Sequence, residues 1–291
     1  MTPGVIQGDH VTELTLHETP RRKSLNPPHL NFTPGIRTAA VGEAIELDTK
    51  ESQAADGKKP TVRWHFGDGT KEEGTFVRHA YAKPGYYRVS ITADDGVLAS
   101  MDSCGVYVVS RDPELTEMNA AKWGGEAANW KDGFVKLEDD VNSKLKGKSS
   151  LHVITNGGED VSVWFPKTRD AAWNLTGKRA LQMWVKFQND NEGSFQNNTP
   201  TIRLVDSRAR GGEKTYIELK PKDQNLLGLG VPYSEGRWLF NFFDIPLAGD
   251  AVWERKVVGS PTSDHIDALE IHADTWGAGF ELWIDGVQFV K

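Results

Sequence analysis

Apolar and polar residues alternate in short runs along most of this chain, which is the pattern of half-buried β-strands. Up to about residue 111 these runs include "AVGEAIELD", "TVRWHF" and "YYRVSITAD", each bounded by glycine, proline or aspartate. Because side chains alternate across a strand, the apolar members of the last two runs are expected to face one core. They are Val62, Trp64, Phe66, Tyr87, Val89 and Ile91. The pattern predicts an all-β domain over residues 27–111.

The second half of the chain repeats this pattern without long helical periodicity. Runs such as "SSLHVIT", "RALQMWVKFQ", "TIRLVDS", "TYIELKP", "DALEIHAD" and "FELWIDGVQFV" predict about eight strands, the number in a two-sheet jelly roll. Pro113 marks a boundary, and the polar residues 1–26, which end in a proline-rich basic stretch, read as a linker or extension. The predicted fold is therefore all-β, with two tandem β-sandwiches at residues 27–111 and 114–291.

Composition narrows the classes of partner. The chain has 291 residues and a formal net charge of −7, which argues against nucleic acid or an anionic membrane surface. It contains no apolar run of about 18 residues, so no membrane-spanning helix is expected. Cys104 is the single cysteine, which excludes an intramolecular disulfide. The first residues lack a basic start followed by an apolar run, so no signal peptide is read there.

The stretch "VRWHFGDGT…HAYAKPGYYRVSITADDG" closely resembles the signature of polycystic kidney disease (PKD) domains. The resemblance implies an immunoglobulin-like β-sandwich that serves as a spacer or accessory module in a secreted or surface multidomain protein. Trp64 would lie in the sandwich core, Gly67 and Gly69 would form a tight turn, and Asp68 would cap that turn. Tyr81 would be a corner tyrosine. All of these roles are structural.

Two polar features of this first domain are candidates for chemistry. The family more often has an acidic or small residue at His65, and alternation predicts that this imidazole faces solvent rather than a ligand. Asp94 and Asp95 could bind calcium, but a turn that ends the strand is the favoured interpretation.

The second domain resembles galactose-binding-like jelly rolls, a fold that many carbohydrate-binding modules have. The likeness rests on "GFVKLEDD…LKGKSSLHVI" and "DALEIHAD…GAGFELWIDGVQF" as first and last strands. It implies a structural Ca²⁺ held by the carboxylates of Glu138 and Asp285, with loop carbonyls near Lys146 completing the shell. Asp139 and Asp140 are alternative ligands. The competing interpretation is that Asp285 simply makes a turn or bulge before the last strand.

A sugar-binding face needs a flat aromatic surface and a few polar groups for the hydroxyls. In "ALQMWVKF" the residues Leu181, Met183, Val185 and Phe187 should face the core, which would turn Trp184 outward. By the same rule Tyr216, Arg203, Glu218, Glu270 and His272 also face outward. We predict that Arg203, Glu218, Glu270 and His272 bind carbohydrate together with Trp184. The competing interpretation is an ordinary solvated sheet face. A loop-edge site at Trp276, or at Trp123 or Trp130, is an alternative, whereas Trp164, Trp238 and Trp283 fit sandwich packing.

The hypothesis from sequence is non-catalytic polysaccharide binding by the jelly roll, within a larger extracellular or cell-surface protein. One alternative is a structural or adhesive module whose outward sheet face is covered and whose Trp184 is buried there. A second is a polysaccharide hydrolase or lyase that uses Glu218 and Glu270 as acid and base. No nucleophile elbow, HExxH motif or P-loop occurs in the sequence, which makes the enzyme the minority interpretation.

Overall fold

The structure, a computed structural model, describes residues 26–32, 35–54, 56–127, 133–156, 161–188, 201–208, 215–222, 239–273 and 279–291. These residues form β-strands and one short 3-10 helix, Ala120–Lys122, which confirms the all-β prediction. The strands of the first half are β1 (Ile36–Ala40), β2 (Ala44–Asp48), β3 (Thr61–His65), β4 (Lys71–Glu73), β5 (Phe76–Ala80), β6 (Gly85–Asp94) and β7 (Ala99–Val109).

The strands of the second half are β8 (Gly124–Ala127), β9 (Val135–Asp140), β10 (Ser150–Thr155), β11 (Val161–Phe165), β12 (Ala180–Gln188), β13 (Thr201–Val205), β14 (Tyr216–Pro221), β15 (Asn241–Pro246), β16 (Trp253–Val258), β17 (Ala268–Ala273) and β18 (Glu281–Val290). They form a five-stranded sheet, β15-β12-β18-β10-β9, and a six-stranded sheet, β16-β14-β13-β17-β11-β8. The strands of the first half form the sheet β1-β7-β6-β3-β4 and the pair β2-β5.

Trp64 is the core tryptophan of the first half, as predicted. Its side chain on β3 is fully buried together with Val62 and Phe66, and its indole N–H donates to the carbonyl of Gly74 at 2.8 Å. A buried indole needs such an acceptor, because an unpaired N–H would lose its bond to water. His65 is exposed at the end of the same strand, as alternation predicted.

The Gly-Asp-Gly turn after β3 is structural. Gly67 and Gly69 have φ angles of 84° and 94°, values that an L side chain rarely adopts. The Asp68 carboxylate accepts hydrogen bonds from the Thr70 amide at 3.0 Å and from the Thr70 hydroxyl at 2.6 Å. Asp95 likewise accepts from the amides of Val97 and Leu98, so it caps the turn after β6.

The two sheets of the second half enclose one apolar core. The side chains of β12 that face it are the alternate residues predicted from the sequence. Leu181, Met183, Val185 and Phe187 all lie in that core. Facing them from the six-stranded sheet are Ile202, Leu204, Ile217, Leu219, Leu269 and Ile271. Burial of these large side chains at roughly 1.5–3 kcal/mol each is the main force that holds the two sheets together.

The described residues fall into two compact units, each made of several chain segments. One unit contains Glu46–Val77 and Ser90–Ser103, and the other contains Gly35–Ile45, Arg78–Val89 and Cys104–Lys291. The boundary predicted at residues 111–114 stays a prediction. Among the residues described, no helix has the length and apolarity to cross a membrane.

Candidate functional site

Trp184 does not offer an open platform. Its indole points away from the sandwich core, as alternation predicted, but it is only 2% exposed. Tyr107 meets it edge-on at 5.5 Å, and Phe242 lies at 4.9 Å. With Phe240 and Trp283 these rings form a separate apolar cluster, the Trp184 cluster. The expectation of an exposed Trp184 is therefore wrong, because alternation gives the direction of a side chain and not what covers it.

Tyr107 is fixed within the Trp184 cluster by its hydroxyl group, which accepts a hydrogen bond from the amide of Phe240 at 3.0 Å. Burial raises the pKa of Tyr107 to about 12. The phenol therefore stays neutral at any ordinary pH, which suits an apolar contact.

The other predicted residues lie on the six-stranded sheet, whereas Trp184 lies on the five-stranded one. Glu270 is directly opposite Arg203, and Arg203 is directly opposite Glu218. The row continues to Trp164 at one end and to Lys256 at the other. Residues directly opposite each other share a face, so these five side chains form one outward row across β11, β17, β13, β14 and β16. At the usual strand spacing the row is about 19 Å long.

Arg203 is the centre of this row and is held by both neighbouring carboxylates. Its Nε donates to Glu218 Oε2 at 2.9 Å, and its Nη1 lies 3.5 Å from Glu270 Oε1. Burial opposes the charge of Arg203, but the hydrogen bond to Glu218 and the nearby carboxylates raise its pKa above the ordinary value. The ring of Tyr216 lies beside it, 5.1 Å from the guanidinium carbon.

Arg169 belongs to the same site, although no strand pattern indicated it. It lies in the loop after β11 and donates from Nη1 to Glu270 Oε2 at 2.9 Å. Its guanidinium stands 4.1 Å above the ring of Trp164. Trp164 was expected to pack in the core, yet in "VSVWFP" the apolar Val163 and Phe165 flank it, so the alternation rule already turned it outward.

His272 lies two residues from Glu270 on the same strand, with Nδ1 3.2 Å from the hydroxyl of Ser162. Of the loop-edge candidates, Trp276 and Trp130 lie outside the described residues. Trp123 is buried against Phe165, so it offers no ligand surface.

The calcium ligands predicted from sequence do not meet in the structure. Glu138 lies two strands away from Asp285 and pairs with Lys136 at 2.5 Å. The loop presents amides rather than carbonyls to Asp285, because the N–H groups of Leu145 and Lys146 donate to Asp285 Oδ2 at 2.6 and 3.0 Å. Among the described residues no group of three or more His, Cys, Asp or Glu side chains converges on a metal position.

The alternative ligands of that prediction also have structural partners. Asp139 accepts a hydrogen bond from the amide of Ala120, and Asp140 accepts one from the indole N–H of Trp283 at 2.8 Å.

A different carboxyl group, that of Glu114, lies against Asp285. Burial and the charge of Asp285 raise the pKa of Glu114 to about 7, and burial also raises the pKa of Asp285. Within the described part of the chain, Glu114 Oε1 is buried and accepts no hydrogen bond. Glu114 therefore has one unsatisfied buried oxygen, whereas the oxygens of Asp285 accept hydrogen bonds from three backbone amides.

Comparison with known proteins confirms the resemblance of the first part of the chain to PKD domains. The model of the PKD domain family matches residues 26–106. Collagenase ColA of Clostridium perfringens is 40% identical over 173 residues, which cover 56% of this chain and 15% of the collagenase. A microbial collagenase of Vibrio alginolyticus is 38% identical over 55 residues, 19% of this chain and 7% of that protein. The chain thus spans only a small part of the length of these relatives.

Among solved structures, a family 11 carbohydrate-binding module from a cellulosomal cellulase of Clostridium thermocellum has a TM-score of 0.37 at 12% identity. The similarity covers 58% of this chain and 87% of that module. A score this low carries no inference about the ligand of this chain.

Proposed function

From a PKD domain at residues 26–106 followed by a two-sheet β-sandwich, we propose that this chain is a non-catalytic polysaccharide-binding region of a larger secreted or cell-surface protein. The PKD domain would be the spacer. The observation that carries the proposal is the row from Trp164 to Lys256 on the outward face of the six-stranded sheet. Its guanidinium and carboxylate groups are fixed by one another, so they lose little freedom when a sugar binds.

The row also argues against catalysis by Glu218 and Glu270. A glycosidase places its acid and its second carboxylate on either side of the scissile bond, with the sugar between them. Here Arg203 occupies the position between the two carboxylates, hydrogen-bonded to Glu218 and ion-paired with Glu270. The substrate bond would have to lie where the guanidinium is, so a binding surface is the better account.

A second candidate target is a protein fibre. The similarity to the C. perfringens collagenase extends over 173 residues, well beyond the length of the PKD match at residues 26–106. A region that brings a collagenase to its substrate would bind fibrillar collagen rather than a glycan, and the same outward face would be the contact surface.

We expect the intact chain to bind at least one member of a panel of soluble and insoluble polysaccharides, and Arg203→Ala to lose at least ten-fold in affinity because the central fixed donor is gone. Affinity electrophoresis and pull-down measure this. Arg63→Ala is the matched control, since Arg63 on β3 forms an exposed ion pair with Glu73 on β4. Binding to fibrillar collagen alone would favour the second candidate, and no binding to either would leave a structural or adhesive module.

For the predicted calcium we propose Glu114 and Asp285 as carboxylate ligands in place of Glu138. The support is the buried, unpartnered oxygen of Glu114 beside a second buried carboxyl group. The ion would balance the negative charge of the two carboxylates and would have a structural role only. The ammonium group of Lys146 bonds to Gln288 Oε1 at 3.4 Å and to the carbonyl of Asp112, so it supplies only part of the compensating charge.

A calcium ion that binds only the folded chain must stabilise it, so Ca²⁺ is expected to raise the Tm by several degrees and EDTA to reverse the shift. Thermal melts of the chain and of two variants check this. Glu114→Gln should lose the response to Ca²⁺, whereas Glu138→Gln should keep it. A Tm that is the same in Ca²⁺ and in EDTA would contradict a calcium site at this pair.

A further inference from the structure

The indole of Trp164 is covered on both faces, so it is not the surface that a ligand meets. On one side it lies against the backbone of β8, where a Cβ on Gly124 would be only 2.3 Å from the ring atom Cε2. On the other side stands the guanidinium of Arg169, at 4.1 Å. What reaches solvent above Trp164 is therefore the outer side of a planar guanidinium group.

The position of Arg169 is strongly determined. Its φ angle of 55° lies in the left-handed region, where a non-glycine residue is strained. The indole below and the Glu270 carboxylate beside it keep the side chain in place. Backbone strain that is retained in this way is common at binding sites, where it holds a group ready for a ligand.

Glu270 lies between two guanidinium groups. Its side chain is 5% exposed, and its two oxygens face Arg169 and Arg203 respectively. The arginine side chains are 31% and 24% exposed, so each reaches the surface beyond the carboxylate. An arginine has five N–H donors. In the described part of the chain the ion pairs use one donor of Arg169 and two of Arg203, which leaves donors of both for a ligand.

We infer that Arg169 and Arg203, oriented by Glu270, form a twin-guanidinium site for an anionic group of the bound polysaccharide, a uronate carboxylate or a sulfate ester. This inference rests on the proposed function and specifies its ligand class. Two planar donor groups on either side of one buried carboxylate match the paired oxygens of such an anion. The row carries two cations, Arg203 and Lys256, against the two carboxylates Glu218 and Glu270. Arg169, which pairs with Glu270 from the loop, adds a third cation, so the charge at this point favours an anion although the whole chain is acidic.

The test uses two pairs of polymers that share a backbone, one member of each pair carrying anionic groups that the other lacks. Oligogalacturonate is compared with its methyl ester, and dextran sulfate is compared with dextran, by calorimetric titration at low and at moderate salt. At least one charged member is expected to bind ten-fold or more tightly than its neutral partner, with affinity falling as salt rises. A difference within the galacturonate pair would identify a carboxylate as the ligand, and a difference within the dextran pair would identify a sulfate ester.

Variants assign that difference to the two arginines. Arg169→Gln is expected to reduce the affinity for the charged polymer by 10- to 100-fold and to leave the neutral polymer unaffected. Arg169→Lys keeps the charge and loses the planar fork, so its affinity for the charged polymer should lie between those of the wild type and Arg169→Gln. It also provides a second test if Arg169→Gln proves too unstable to titrate. Arg179→Gln is the control, because that exposed arginine pairs with Asp244 on the other sheet and should bind normally.

Equal binding of charged and neutral members, unchanged in Arg169→Gln, would overturn the anionic site and leave polysaccharide binding intact. A charge preference that persists in both Arg169 variants would also overturn it. Absence of binding to every glycan tested, here and in the wider panel, would instead overturn the proposed function itself.

Discussion

Replacing Trp184 by alanine is expected to lower the free energy of unfolding by about 3–5 kcal/mol and to leave polysaccharide affinity unchanged. The indole is buried in the Trp184 cluster against Tyr107 and Phe242. A Cβ on Gly286 would lie 3.0 Å from its Cδ1, so the ring has no spare room. Truncation therefore leaves a cavity that the surrounding rings cannot fill.

Urea denaturation followed by circular dichroism measures this loss, and a binding titration of the same variant measures affinity. Trp164→Ala is the matched comparison. That indole is only half-buried, so its loss should destabilise less, but it removes the support of Arg169 and should weaken binding. A Trp184→Ala variant that is fully stable yet binds no glycan would contradict the structural role given to this residue.

Replacing Glu270 by alanine is the second large effect, because it acts on stability and binding together. The carboxylate is buried and bonds to Arg169 and Arg203, so its removal leaves two neighbouring positive charges without their common partner. The arginines retain contact with water, which reduces the cost to about 1–3 kcal/mol. Affinity should fall as well, since the two guanidinium groups then repel each other and lose their orientation.

Denaturation and titration of Glu270→Ala and Glu270→Gln separate these effects. The glutamine amide keeps the shape of the side chain and one acceptor, so Glu270→Gln should lose less stability and less affinity than Glu270→Ala. Glu73→Ala removes an exposed carboxylate paired with Arg63 and should change stability by less than about 0.5 kcal/mol. If Glu270→Ala is as stable as Glu73→Ala and binds normally, the buried ion pairs do not organise the site.

The alternation of apolar and polar residues was sufficient to predict the strands and much of the candidate site. It placed Trp64 inside the first sandwich and Met183 inside the second, and both are buried. It also turned Arg203, Glu218 and Glu270 outward, and the structure brings them into one row. These results follow from local geometry, because a strand fixes the side of every residue once one residue is placed.

The rest depends on contacts between distant parts of the chain, which alternation does not contain. Trp184 points outward and is still buried, because Tyr107 comes to lie on it. Arg169 has no strand periodicity, since a loop with a left-handed backbone positions it. Glu114 lies before the strands of the second sandwich, and only the fold brings it to Asp285.

The ligand is expected to lie on the outward face of the six-stranded sheet. NMR titration of the isotope-labelled chain with its tightest-binding glycan tests this most directly, through the side-chain N–H signals of the arginines and tryptophans. Binding on that face should shift the Nε signals of Arg169 and Arg203 and the indole signal of Trp164, and leave the indole signals of Trp184 and Trp283 unchanged. Shifts confined to Trp184 and Trp283, with Arg169 and Arg203 unaffected at saturation, would contradict it.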